Sequence, residues 1–151
     1  MPIYHGKDLR KGRYSEPGRL YLVTTVVKNR EPLFEDFWLA RHLVAALRAA
    51  NDQGLVDSLA WVIMPDHLHW LLVPARGSLA TAMRRTKSRS AMAINQTLGR
   101  GGPIWQKGYH DRALRRGEDL HATARYIVAN PLRAGIVNRL TDYPHWDAIW
   151  L

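Results

Sequence analysis

Two histidines separated by one residue, His67 and His69, stand inside the apolar run from Trp61 to Val73. In an extended strand, residues two apart project from the same face. Both imidazoles can therefore reach one small ion while Leu68 and Trp70 point to the opposite side. Much further along the chain, Tyr126 and Asn130 are one helical turn apart. At about 100° per residue they fall about 40° from each other, which sets a phenol beside an amide carbonyl. Together these groups suit chemistry on a phosphodiester. A tyrosine with its ordinary pKa near 10 is a weak nucleophile until a nearby cation or base favours loss of its proton. A divalent ion held by His67, His69 and a side-chain oxygen would polarise the scissile phosphate and offset charge on its non-bridging oxygens. Neutral imidazoles suit Mn or Zn, and Mg with several waters can also use so open a site.

The elements that must carry these groups can be read from periodicity. Residues 1–19, rich in Gly, Arg and Lys with Pro2 and Pro17, read as an irregular basic leader, and residues 20–151 as one domain. Leu20 to Val27 is dense in β-branched residues and predicts a strand. Phe37, Leu39, Leu43, Val44 and Leu47 recur near the helical period, predicting a helix to Ala50 that the turn signal Asn51-Asp52-Gln53-Gly54 ends. Leu55–Met64 and His67–Val73 predict a hairpin through Pro65-Asp66. Ser78 caps a helix from Leu79 to Leu98, with Leu79, Met83, Ala91, Ile94 and Leu98 toward the core. Ile104 to Leu114 reads as a short extended piece or hairpin rather than a helix. From Glu118 the helical pattern returns, with Leu120, Ala124, Ile127 and Val128 on its buried side and Pro131 marking an end or bend. The tail Tyr143-Pro144-His145-Trp146 reads as a surface-packing segment. This order predicts an α+β domain, an antiparallel sheet with helices segregated to one side, in a split βαβ, ferredoxin-like arrangement.

Composition bears on partners. Net charge is +9, from 22 Lys and Arg against 13 Asp and Glu, which favours a polyanion through counterion release and steering. Arg84, Arg85, Lys87 and Arg89 crowd one segment. Arg112, Arg115 and Arg116 crowd another, near Trp105 and Tyr109, where cations could track phosphates and aromatics could stack on unpaired bases. The absence of cysteine excludes a disulfide framework, a thiolate metal site and a cysteine nucleophile. No stretch approaches the roughly 18 apolar residues of a membrane helix, and no signal-peptide core is evident, so a cytoplasmic, nucleoid-associated protein is expected.

Three ordered runs carry a resemblance that covers nearly the whole chain: Trp61-Val-Ile-Met-Pro-Asp-His-Leu-His-Trp70, Ile104-Trp-Gln-Lys-Gly-Tyr-His-Asp-Arg-Ala-Leu-Arg115 and Tyr126-Ile-Val-Ala-Asn-Pro-Leu-Arg-Ala-Gly-Ile-Val137. Their sequence and spacing resemble the REP-associated tyrosine transposases, of the IS200-like family within the HUH endonuclease superfamily. The resemblance implies a ferredoxin-like (RRM-like) sheet with the histidine pair on a central strand and a tyrosine on a helix beside it. By position it assigns His67 and His69 as metal ligands, Asn130 as third ligand and Tyr126 as nucleophile. The implied reaction is cleavage of single-stranded DNA near hairpin-forming palindromic repeats. It leaves a 5′-phosphotyrosine and a free 3′-hydroxyl, with Mg or Mn as the expected ion, and relatives act as monomers or homodimers. This segment holds one tyrosine, so single-tyrosine strand transfer is the expected form, and Tyr109 lacks a ligand-type residue one turn away. Two other readings stay open at this point: a catalytically idle hairpin-binding protein, and a hydrolase that uses metal-bound water with Tyr126 only structural.

Overall fold

The computed structural model describes residues 18–115 and 117–149. The basic leader, but for its last two residues, and Arg116 therefore lie outside the described residues. Five strands form one antiparallel sheet: β1 (Tyr21–Val26), β2 (Val56–Met64), β3 (His67–Pro74), β4 (His110–Ala113) and β5 (Trp146–Ala148), in the spatial order β4-β1-β3-β2-β5. The first four strands follow the split βαβ order that the sequence predicts, with α1 (Phe37–Asp52) and α2 (Leu79–Leu98) as its crossovers. α2 has the predicted bounds, with the Ser78 hydroxyl accepting from the Thr81 amide and Gly99 in the left-handed conformation at its end. Asp36 caps α1 by accepting from the amides of Trp38 and Leu39, a cap worth about 1 kcal/mol.

Alternation divides the sheet between two cores. Tyr21, Val23, Trp61, Ile63, Leu68, Trp70 and Leu72 share one buried cluster with Leu39, Leu43 and Leu47 of α1 and Met83 and Ile94 of α2. The indole of Trp70, fully buried, donates to the Ser58 hydroxyl at 2.9 Å, which removes the cost of a buried unpaired donor. On the other face, Ala60, Leu71 and Ala148 meet Ala124, Ile127 and Val128 of α3 (Leu120–Val128). The helices are thus not segregated to one side. α1 and α2 cover one face, and the stripe that the sequence assigned to the third helix is buried against the opposite one.

Other departures are local. Phe37 is 45% exposed and Leu98 is 40% exposed, so the first and last apolar positions of the two crossover helices lie outside the core they were expected to join. The tail is not a surface segment. Tyr143 and His145 are buried, the Tyr143 hydroxyl donates to the Ile63 carbonyl, and Trp146–Ala148 adds β5 to the edge of β2.

Candidate active site

His67 and His69 emerge from β3 on the face that α3 covers. Across the sheet His67 is opposite Met64 and Val26, and His69 is opposite Val62 and Thr24. Leu71, two residues beyond His69, packs directly in the α3 core. The two imidazole centroids are 4.9 Å apart at an interplanar angle of 86°.

Each ring is fixed through Nδ1. The Asp66 carboxylate accepts from His67 Nδ1 at 2.6 Å and from Arg30 Nε at 2.9 Å. The Thr24 hydroxyl oxygen lies 2.9 Å from His69 Nδ1 and can accept its proton. With both Nδ1 atoms engaged in this way, both Nε2 lone pairs remain for a cation, an arrangement typical of histidines that bind metals. Burial, reinforced by the charges of His67 and Arg133, pushes His69 from 6.5 down to about 4, which keeps it a neutral donor at neutral pH. Burial works against ionisation of Asp66, yet the hydrogen bonds from His67 and Arg30 outweigh it and hold the carboxyl below its usual range. Arg30 reaches this carboxylate from a strained turn in which Asn29 and Arg30 both have positive φ, 59° and 51°.

Tyr126 stands on α3 with its side chain 65% exposed. A bidentate pair between Arg112 on β4 and Glu118, at 3.1 and 3.0 Å, ties the start of α3 to the sheet. Glu118 is held down to about 2, first by that Arg112 bond and then by the Arg115 amide. α3 stops at Val128, and a short helix α4 (Asn130–Arg133) follows with Pro131 in its first turn. Tyr126 and Asn130 therefore sit on consecutive helices rather than on one. Asn130 Nδ2 donates to the Ile127 carbonyl at 2.8 Å, leaving Oδ1 as the atom available to a cation. Among the described residues no cluster of three or more His, Cys, Asp or Glu is placed to hold a metal. Among the described residues a third ligand for the histidine pair would be of another type, and an amide oxygen is a suitable hard donor. The donor set fits a divalent ion. Two imidazoles with Nδ1 engaged, supported behind by a carboxylate and a hydroxyl, need few further oxygens.

Arg133 lies against the tyrosine. Its guanidinium carbon lies 3.8 Å from the centroid of the Tyr126 ring, and its charge also depresses His69. The sequence reading did not single out Arg133, Asp66 or Thr24. Asp66 is adjacent to the histidine pair and Arg133 lies in the same run as Tyr126, so both were within sight. Thr24 shows only once β1 pairs with β3.

The predicted DNA-binding residues separate. Trp105 and Tyr109 are each only 6% exposed and belong to the α1/α2 core, so they offer no surface for stacking. The Trp105 indole donates to the buried Ser90 hydroxyl at 3.0 Å. Lys87 Nζ donates to the carbonyls of Gln106 and Gly108 and so braces that loop. Arg84, Arg85 and Arg89 are exposed on α2, across the sheet from the histidines. Arg112 lies on the histidine face, opposite Leu22 on β1, and Arg115 is exposed beside the start of α3. An exposed aromatic pair absent from the sequence reading, Phe37 with Trp38 at 70% exposure, stands at the start of α1. The Phe34 amide donates to the Pro65 carbonyl, which keeps this segment beside the turn that leads into His67.

The sheet thus carries an oriented histidine pair on its central strand β3, and the tyrosine helix α3 covers the same face. A family model described as transposase, IS200-like, matches residues 19–130, and the chain belongs to that family. It is similar to the REP-associated tyrosine transposase of Escherichia coli (strain K12), 26% identical over 136 residues that make up 87% of this chain and 78% of the relative. Its fold is also similar to that of a REP-associated tyrosine transposase solved bound to a REP hairpin. That likeness has a TM-score of 0.73 at 23% identity and covers 97% of this chain and 82% of the other.

Proposed function

We propose that the protein is a metal-dependent, single-tyrosine endonuclease and strand transferase acting on single-stranded DNA beside a hairpin. The observation that carries this reading is the placement of His67 and His69, both with Nδ1 engaged, on the sheet face that α3 covers with Tyr126 on that helix. His67, His69 and Asn130 Oδ1 would hold the ion, which when bound supplies Lewis-acid polarisation of the scissile phosphate.

The chain's own groups do the rest. Asp66 and Thr24 keep the imidazoles aimed and in the tautomer that leaves Nε2 unprotonated. The exposed Tyr126 phenol attacks phosphorus, and the P–O3′ bond breaks as the Tyr126–phosphorus bond forms. The phenolic proton passes to solvent and the leaving 3′-oxygen takes one up. The phosphotyrosine ester conserves the bond energy, so a 3′-hydroxyl can reverse the attack and join new ends. Tyr143 is not a competitor, because burial pushes its phenol up to about 12.

The hairpin as ligand is supported by the net charge of +9, the exposed arginines of α2, and the relative whose structure holds a REP hairpin. The test is incubation with a labelled hairpin oligonucleotide carrying unpaired flanks and Mn or Mg, followed by denaturing electrophoresis. A protein–DNA band that disappears in Tyr126→Phe and with chelator is expected. Cleavage without any covalent band would favour attack by water, and binding without cleavage would favour an idle binder.

A further inference from the structure

Several arginines among the described residues are paired with carboxylates. Arg30 pairs with Asp66, Arg112 with Glu118, Arg100 with Glu31 and Arg139 with Asp142. Arg133 is different. No carboxylate among the described residues accepts from it, and its guanidinium instead lies over the face of Tyr126 at 3.8 Å. It is exposed, on the short helix α4 that also presents Asn130. A charged guanidinium resting on an exposed ring makes a weak contact, which a phosphate dianion or diester can outcompete through paired N–H···O bonds. In the proposed reaction the scissile phosphate must reach the Tyr126 hydroxyl, and Arg133 already lies against that ring.

We propose that Arg133 is a substrate-displaced latch that becomes a catalytic phosphate clamp, holding Tyr126 in the free protein and transferring its guanidinium to the non-bridging oxygens of the scissile phosphate when DNA arrives. This rests on the functional reading above. The transfer exchanges one non-covalent contact for another, moves no proton and leaves Arg133 charged. It releases the ring only when a phosphate is present, so the nucleophile is set free by its own substrate. Charge that develops on the phosphoryl oxygens during Tyr126–phosphorus bond formation and P–O3′ cleavage is then met by a fixed cation.

The test begins with single-turnover formation of the covalent adduct on a hairpin oligonucleotide with Mn, using wild type, Arg133→Ala and Arg133→Lys. Arg133→Ala is expected to slow adduct formation about 100-fold or more with Mn affinity unchanged by electron paramagnetic resonance, and Arg133→Lys should recover part of the rate. Binding then isolates the contact. In a Tyr126→Phe background, Arg133→Ala should weaken binding to the native strand but not to one with a neutral methylphosphonate at the scissile linkage. Additive losses would overturn the clamp. For the latch, protein carrying 3-fluorotyrosine should show the Tyr126 resonance, identified by its absence in Tyr126→Phe, shifting in the same direction on Arg133→Ala and on hairpin addition. No shift on hairpin addition overturns the latch. If wild type forms no adduct, the functional reading falls. If wild type reacts and Arg133→Ala reacts equally fast, only the clamp falls.

Discussion

Removing Asp66 should unsettle the proposed metal site without touching a ligand. Its Oδ1 accepts from His67 Nδ1 at 2.6 Å and its Oδ2 from Arg30 Nε at 2.9 Å. One carboxylate therefore orients the ring and is itself held in place. Loss of such a support typically lowers metal affinity by about 10- to 100-fold. Asp66→Ala deletes both bonds and belongs near the upper figure, about 2.7 kcal/mol at 100-fold. Asp66→Asn keeps an acceptor of the same shape but forfeits the charge that makes such a bond roughly twice as strong as a neutral one, so it belongs near the lower figure. Arg30→Gln acts one step further back and should cost less than either. Mn titration followed by electron paramagnetic resonance, with His67→Ala/His69→Ala as the siteless baseline, measures the series. Wild-type affinity in Asp66→Ala would refute the reasoning.

The metal-free protein should lose stability on acidification. His69 has a folded pKa of about 4 against 6.5, so below 6.5 the unfolded chain takes up a proton that the folded one refuses. Its contribution is present above pH 6.5 and falls away as pH drops toward 4, by about 2 kcal/mol at pH 5, and His145, also lowered by burial, adds with the same sign. Chemical denaturation at pH 7 and pH 5 should show this, and His69→Gln should flatten the slope. Replacing Arg84, Arg85 and Arg89 together by Gln should weaken hairpin binding and reduce its salt dependence by about 0.9 per lost duplex phosphate contact. Adduct formation at saturating hairpin should be unchanged, because these side chains lie across the sheet from Tyr126.

Much of this architecture was legible because it rests on local pattern. The α2 boundaries follow from Ser78 and Gly99, and the histidine face follows from alternation with Leu68 and Trp70, both fully buried. What escaped depends on distant partners. β5 is three residues long and exists only because Ala148 finds Ala60, a pairing with no periodicity to betray it. The apolar stripe of α3 announced a buried side but not which face of the sheet would receive it. Trp105, in a stretch that runs on to Arg112 and Arg115, looked like an exposed platform until Ser90, on another element, satisfied its indole. The chemistry-bearing side chains were visible as types. Their supports, Thr24 above all, became visible only through strand register.

The division of the two faces has a consequence for the shape of any DNA that engages both. Arg84, Arg85 and Arg89 lie on one side of the sheet and the histidines with Tyr126 on the other. A molecule touching both must turn around a rim of the domain. Duplex DNA, with a persistence length of about 150 bp, resists so sharp a corner, whereas a lone strand rounds it freely. A fold built this way would measure where pairing stops, selecting its target by stiffness before any base is read.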